Sequence, residues 1–192
     1  MKRKPFSAPP CAVTVGEKSY PINTDFRVWI EISEVISDKD ISLKDRLCFL
    51  LINGYGDSLP DSMEKAVGAL LTFMNMGEER SLQKGDRSPV FSFFEDERLI
   101  YAAFRQQYGI NLFYEELHWW EFISLLSALD ENTAFMRAVG YRSVDCGKIK
   151  DEGRRRFYRK MKNRYRLKEK IKDSDIAGAL LLRQSTEEGG SG

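Results

Sequence analysis

The apolar residues of this chain recur mostly in steps of three and four, separated by short polar breaks. Steps of that size put side chains on one face of a helix. Phe26, Trp29, Ile30 and Ile36 keep the period behind the start signal Asn23-Thr24-Asp25, and they predict a first helix over residues 25–36. Ser42, with Asp45 three positions on, is a relative of the capping box, and opens a second helix through Leu47, Leu50 and Leu51 that Gly54 is expected to stop. Ser58 and Pro60 open a third, whose stripe of Met63, Val67, Leu70, Leu71 and Met74 ends at Gly77. The polar run 78–89 reads as a loop long enough to move or to present a binding surface.

The second half of the chain is organised around residues 95–142. Ile100, Ala103, Phe104 and Gln107 share a helix face that Gly109 terminates. The string Leu117-His118-Trp119-Trp120-Glu121-Phe122 then continues through Ile123, Leu125, Leu126 and Leu129. These cannot occupy one face, because adjacent residues lie about 100° apart around the axis. A helix apolar nearly all round belongs in a core or a membrane, and the interruptions at Glu121, Ser124 and Ser127 favour the core. Asp130-Glu131-Asn132 breaks it, Thr133 caps a short helix carrying Phe135, Met136 and Val139, and Gly140 is expected to end that one. A last helix is expected over 148–167, with Phe157, Tyr158, Met161 and Tyr165 on one face and cations around the rest.

Only the N-terminal part suggests strands. Residues 11–15 and 18–22 flank Gly16-Glu17 as the arms of a short β-hairpin, the second confined to an edge by Pro21. A hairpin this short is marginal alone and must pack on helices. The expected fold is therefore mainly α, a compact bundle of about six helices with a short N-terminal β-hairpin. Residues 1–10 read as a disordered basic tail, 11–167 as one helical domain with the hairpin at 11–22, and 168–192 as a flexible C-terminal tail. That tail includes a short docking segment at 177–182 and ends in Gly-Gly-Ser-Gly, the composition of a linker.

Composition adds a charge asymmetry. The 192 residues, 42% hydrophobic, suffice for one sizeable core, and the formal charge is only +1. Yet residues 147–172 hold 13 Lys or Arg against three acids, whereas 1–146 hold 16 basic and 22 acidic residues. One end is basic and the body is acidic. Cys11, Cys48 and Cys146 match neither a disulfide framework nor a paired metal-ligand spacing, so reduced thiols are expected. The N-terminus lacks a secretory pattern, and no run reaches the roughly 18–20 apolar residues that span a bilayer. An intracellular protein without membrane contact is expected.

The inventory of reactive groups argues against catalysis. His118 is the single histidine, and there is no Gly-rich phosphate loop, nucleophile elbow or HExxH-type pair. His118 and Glu121 fall within hydrogen-bond reach if both lie on one helix face, but a lone His among aromatics is far more often structural. Glu95, Asp96 and Glu97 suit the first turn of a helix, where the dipole favours negative charge, better than a metal site. No enzyme activity, cofactor or metal is expected. Partner contacts are assigned instead to Arg154, Arg155, Arg159, Lys162 and Arg166 of the basic helix, with Trp119 as an anchor if its ring is exposed. That helix suits an acidic protein surface or nucleic-acid phosphates; the apolar stripe points its rings inward, away from bases, and favours the protein. Phe26, Trp29, Phe104, Trp120, Phe122 and Tyr141 are expected to determine the fold.

Three stretches also carry a family resemblance: residues 20–30, YPINTDFRVWI; then IYAAF at 100–104 with YGINL at 108–112 and LHWWEF at 117–122; and Tyr141-Arg142 with Lys148, Lys150 and residues 158–167. Together they resemble a small phage and prophage protein family encoded in the tail gene cluster of tailed phages of Gram-positive hosts, near the tape-measure gene. The resemblance implies a non-enzymatic tail assembly chaperone or scaffold in the host bacterial cytoplasm. It would bind the tape-measure protein, and also the tail-tube protein, with self-association. It supplies no catalytic residues. The alternatives are a structural component of the tail and nucleic-acid binding through the basic helix.

Overall fold

The computed structural model describes residues 6–78 and 90–168, which form an antiparallel hairpin, seven α-helices and one 3-10 turn. The mainly α fold with an N-terminal hairpin is as expected. The expectations for residues 1–5, for 79–89 of the polar loop and for 169–192, including the segment at 177–182, lie outside the described residues. The chain divides into two compact units, Met1–Gly140 and Tyr141–Gly192.

In the first unit, β1 (Ala12–Val15) pairs with β2 (Lys18–Pro21), Ala12 opposite Pro21, across a turn whose Gly16 sits at φ +66°. Glycine adopts that angle without the Cβ penalty other residues meet. The edge of the hairpin packs on α3 (Met63–Met74). Asp25 accepts the Arg27 N–H at 2.8 Å and so caps α1 (Phe26–Ser37), where Phe26, Trp29 and Ile32 are buried. At the start of α2 (Leu43–Tyr55), Ser42 Oγ accepts the Asp45 N–H and donates to the Asp45 carboxylate at 2.6 Å. The cap anticipated from the sequence is there.

The expected stop is not. Gly54 lies inside α2, and the helix ends at Gly56, φ +59°. Gly54 is glycine for a packing reason: a Cβ there would come 2.6 Å from Leu70 Cδ1 of α3. Its carbonyl also accepts the Asn23 N–H at 2.8 Å. Helix α3 itself begins after Ser62, later than Ser58 and Pro60 implied, and buries Ala66, Leu70 and Phe73. Met63 is 52% exposed, so the buried stripe runs one step round from the expected one. Across this contact the Tyr55 hydroxyl donates to the Ala66 carbonyl at 3.0 Å; burial, and then the neighbouring Tyr20, push its pKa up to about 12.

Helix α4 (Glu97–Tyr108) matches its expected face, burying Ile100, Ala103 and Phe104, and Gly109 ends it in the left-handed region. Helix α5 (Trp119–Ser127) buries Trp119, Trp120, Phe122 and Leu126. Thr133 caps α6 (Ala134–Ser143) by accepting the Met136 N–H at 3.2 Å, but Gly140 does not stop it. Phe122 is central to the core: Phe26 stacks on it at 4.5 Å and Phe104 at 5.2 Å between ring centroids.

In the second unit the expected long helix is divided. A 3-10 turn at Cys146–Lys148, capped by Asp145, precedes α7 (Glu152–Arg164), capped by Asp151 through the Arg154 N–H at 2.7 Å. Tyr141 gathers Phe157, Tyr158 and Tyr165 within 5.6–6.2 Å. No residue of α7 is fully buried. The three cysteines are free, Cys11 and Cys48 exposed and Cys146 half-buried.

Candidate partner groove and basic helix

The string around His118 proves to be joinery. His118 is not on the helix face with Glu121; it is the N-cap of α5, and its Nδ1 accepts the Trp120 N–H at 3.0 Å. An acceptor at Nδ1 leaves the proton on Nε2, which donates to the Pro10 carbonyl at 3.1 Å. Both ring nitrogens are thus engaged in holding chain segments together. The starts of α1 and α5 also satisfy each other: Phe26 N–H donates to Leu117 O at 3.2 Å, and Trp119 N–H to Thr24 O at 2.7 Å. First-turn N–H groups have no partner within their own helix, so this exchange supplies it. His118→Ala should therefore cost about 1 kcal/mol in urea unfolding, with His118→Asn recovering most of it. A stable His118→Ala protein would sink the capping role.

The two tryptophans have a joint task at the other end of α3. Trp120 Nε1 donates to Phe73 O at 2.8 Å and Trp119 Nε1 to Met74 O at 3.0 Å. Those carbonyls belong to the last turn of α3, where acceptors lack intrahelical donors. Two adjacent indoles meet two adjacent acceptors. Trp119 is only 4% exposed, so its assignment as a partner anchor is corrected: the ring is consumed by the core. Trp29 works similarly, donating to Asn23 O at 2.8 Å at full burial.

What the periodicity missed is a groove between α1 and α4, floored by Phe26, Ile30, Ile100 and Phe122 and bordered by Phe94, Tyr101 and Phe113. Phe94 is 60% and Phe113 58% exposed, and Phe113 lies 4.6 Å from the Tyr101 ring. Large aromatics left open beside an apolar floor mark a contact surface more than a scattered exposed residue does. The cavity, about 240 Å³, falls below the roughly 300–1,000 Å³ of small-molecule sites and suits an inserted side chain. Glu31 and Glu97 are on its rim. Its cation, Arg27, is already committed to Asp25 at 2.9 Å and to the carbonyls of Leu112 and Glu115 at 2.8 and 2.9 Å. The groove is acidic at its edges and apolar within. A sequence signal existed in Phe94 and Phe113-Tyr114, aromatics outside any periodic stripe, but spacing could not bring them together.

Arg154, Arg159, Lys162 and Arg166 are exposed and Arg155 half-buried. Lys162 Nζ donates to Val144 O at 3.0 Å, and Arg142 to Tyr165 O. The aromatic face of α7 turns to Tyr141, although Phe157 remains 50% exposed. Among the described residues no group of three or more His, Cys, Asp or Glu is placed to hold a metal ion, and no helix is long and apolar enough to cross a membrane.

The family model described as Bacteriophage Gp15 protein matches residues 8–167, from just ahead of the hairpin to just past α7. The chain belongs to the Bacteriophage Gp15 protein family. The Gp15 match takes in the mutual caps of α1 and α5, the tryptophan pair, the groove and the basic helix. Comparison with curated proteins and with solved structures gives no match.

Proposed function

We propose that this phage protein is a non-enzymatic tail assembly chaperone of phages of Gram-positive hosts, acting in the host cytoplasm on the tape-measure protein. The observation that carries the reading is the open aromatic groove between α1 and α4 in a chain of a phage family. A tape measure is a long chain of helices with apolar stripes. A groove with an apolar floor and aromatic walls can cover such a stripe one helix at a time. Many weakly bound copies along one chain would act through effective concentration, and tail-tube subunits would be recruited to that array.

Co-expression tests this. The wild-type protein should keep the tape-measure protein in the soluble fraction and co-purify with it, while the Phe94→Ser/Phe113→Ser variant, altered only at exposed rings, should lose most of the captured partner. Insoluble tape-measure protein beside abundant wild-type chain would end the chaperone reading. Equal capture by the variant would move the contact off this groove.

A further inference from the structure

The groove and α7 are complementary in charge. Residues 6–78 and 90–140 carry 19 Asp or Glu against nine Lys or Arg, while 141–168 carry 12 Lys or Arg against three acids. The groove concentrates that difference at Glu31 and Glu97, both exposed and in no ion pair among the described residues, with Arg27 neutralised by Asp25. Helix α7 presents the reverse. Its inward face takes Arg155, Tyr158 and Met161, all half-buried, so positions 156, 157, 160 and 164 face out at helical spacing. They are Arg156, Phe157, Lys160 and Arg164, a half-exposed ring bordered by three cations. The ion pairs Arg27–Asp25 and Lys148–Asp145 involve no residue of α7.

We propose that the protein associates head to tail with copies of itself, α7 of one copy lying in the α1–α4 groove of the next. Phe157 enters between Phe94 and Phe113, and the flanking cations meet Glu31 and Glu97. The lengths agree: α7 has 13 residues and α1 has 12, at about 1.5 Å per residue. Because the two surfaces differ, the contact is heterologous and repeats into a ring or a filament rather than closing as a twofold dimer. Self-association covers the aromatic opening that would otherwise face water. It occupies the same groove as the assembly partner proposed above, so the two exchange, but it does not depend on that partner.

Complementary variants test it without any partner. The full-length chain carrying Arg156→Glu, Arg159→Glu, Lys160→Glu and Arg164→Glu keeps its groove and loses its basic face. The chain carrying Glu31→Lys and Glu97→Lys keeps its basic face and loses the rim. All six positions are exposed, and thermal melts matching the wild type are the check that both variants fold. In sedimentation velocity the wild type should grow with concentration at low salt and dissociate near 1 M salt, where the Debye length is about 3 Å. Each variant alone should stay monomeric, because its helix and its rim then carry charge of one sign, and their equimolar mixture should associate again, native helix in native groove and reversed helix against reversed rim. A wild type that is monomeric at low salt, or a mixture that stays monomeric, overturns the proposal. So does a wild type that remains monomeric yet shifts a labelled DNA duplex through the same four cations, which would assign α7 to nucleic acid.

Discussion

Trp120→Ala should lower the unfolding free energy by about 3–5 kcal/mol in a urea titration, a large part of what a domain of this size holds in reserve. The ring is 8% exposed and lies 5.5 Å from Phe73, centroid to centroid. It also reaches the turn after α3, where a Cβ on Gly77 would lie 3.4 Å from its edge. Truncation opens a cavity between α3 and α5 and removes the donor from Phe73 O. Trp120→Phe separates the two effects. It keeps most of the ring contact and deletes only the N–H, so its cost should fall near 1 kcal/mol, because the Met76 N–H still reaches Phe73 O at 2.9 Å. A Trp120→Ala protein as stable as the wild type would mean that the ring works at a surface and not in this joint.

Gly54→Ala is the second large effect, expected at about 1–3 kcal/mol in the same titration. The new methyl would sit 2.6 Å from Leu70 Cδ1, and Leu70 is fully buried with little room to turn. Helix propensity alone would favour alanine by up to about 1 kcal/mol, so the sign of the result discriminates close packing from an ordinary helical glycine. Leu70→Ala relieves the clash at the cost of a cavity. The double variant should therefore be more stable than the two single losses added together predict. Simple additivity, or a stabilised Gly54→Ala, would show that α2 and α3 are not held this closely.

Gly54 illustrates a general limit on reading boundaries. Glycine after an apolar run signals a stop when it takes a left-handed angle, as Gly109 does at φ +75°. The same residue is required inside a helix where another backbone or side chain comes close, as at Gly54. Only the neighbour distinguishes the two. His118 shows the limit in another form: a histidine between Leu117 and Trp119 has the pattern of a helical residue, and its N-cap role depends on Thr24, Asp25 and Pro10, far away in the chain.

The candidate site was legible in part. The basic stripe of α7 follows from residue order alone, because charge and period are both local properties. The groove is not local: Ile30, then Phe94 with Tyr101, and finally Phe113 come from three separate segments. Each is individually an unremarkable apolar residue. Their meaning arises from the approach of α1 and α4 over Phe122.

By itself the sequence determined the mainly α class, the hairpin, the start signal at 23–25, the caps at Ser42 and Thr133, and the burial of Phe26, Trp29, Phe104, Trp120 and Phe122. Those depend on backbone preference and on periodicity within a few residues, and neither needs a partner to be read. The tertiary structure decided where helices stop, which tryptophan N–H meets which carbonyl, and which aromatics stay open to water. Those outcomes depend on distances between segments up to about a hundred residues apart, as from Pro10 to His118, and only packing sets such distances.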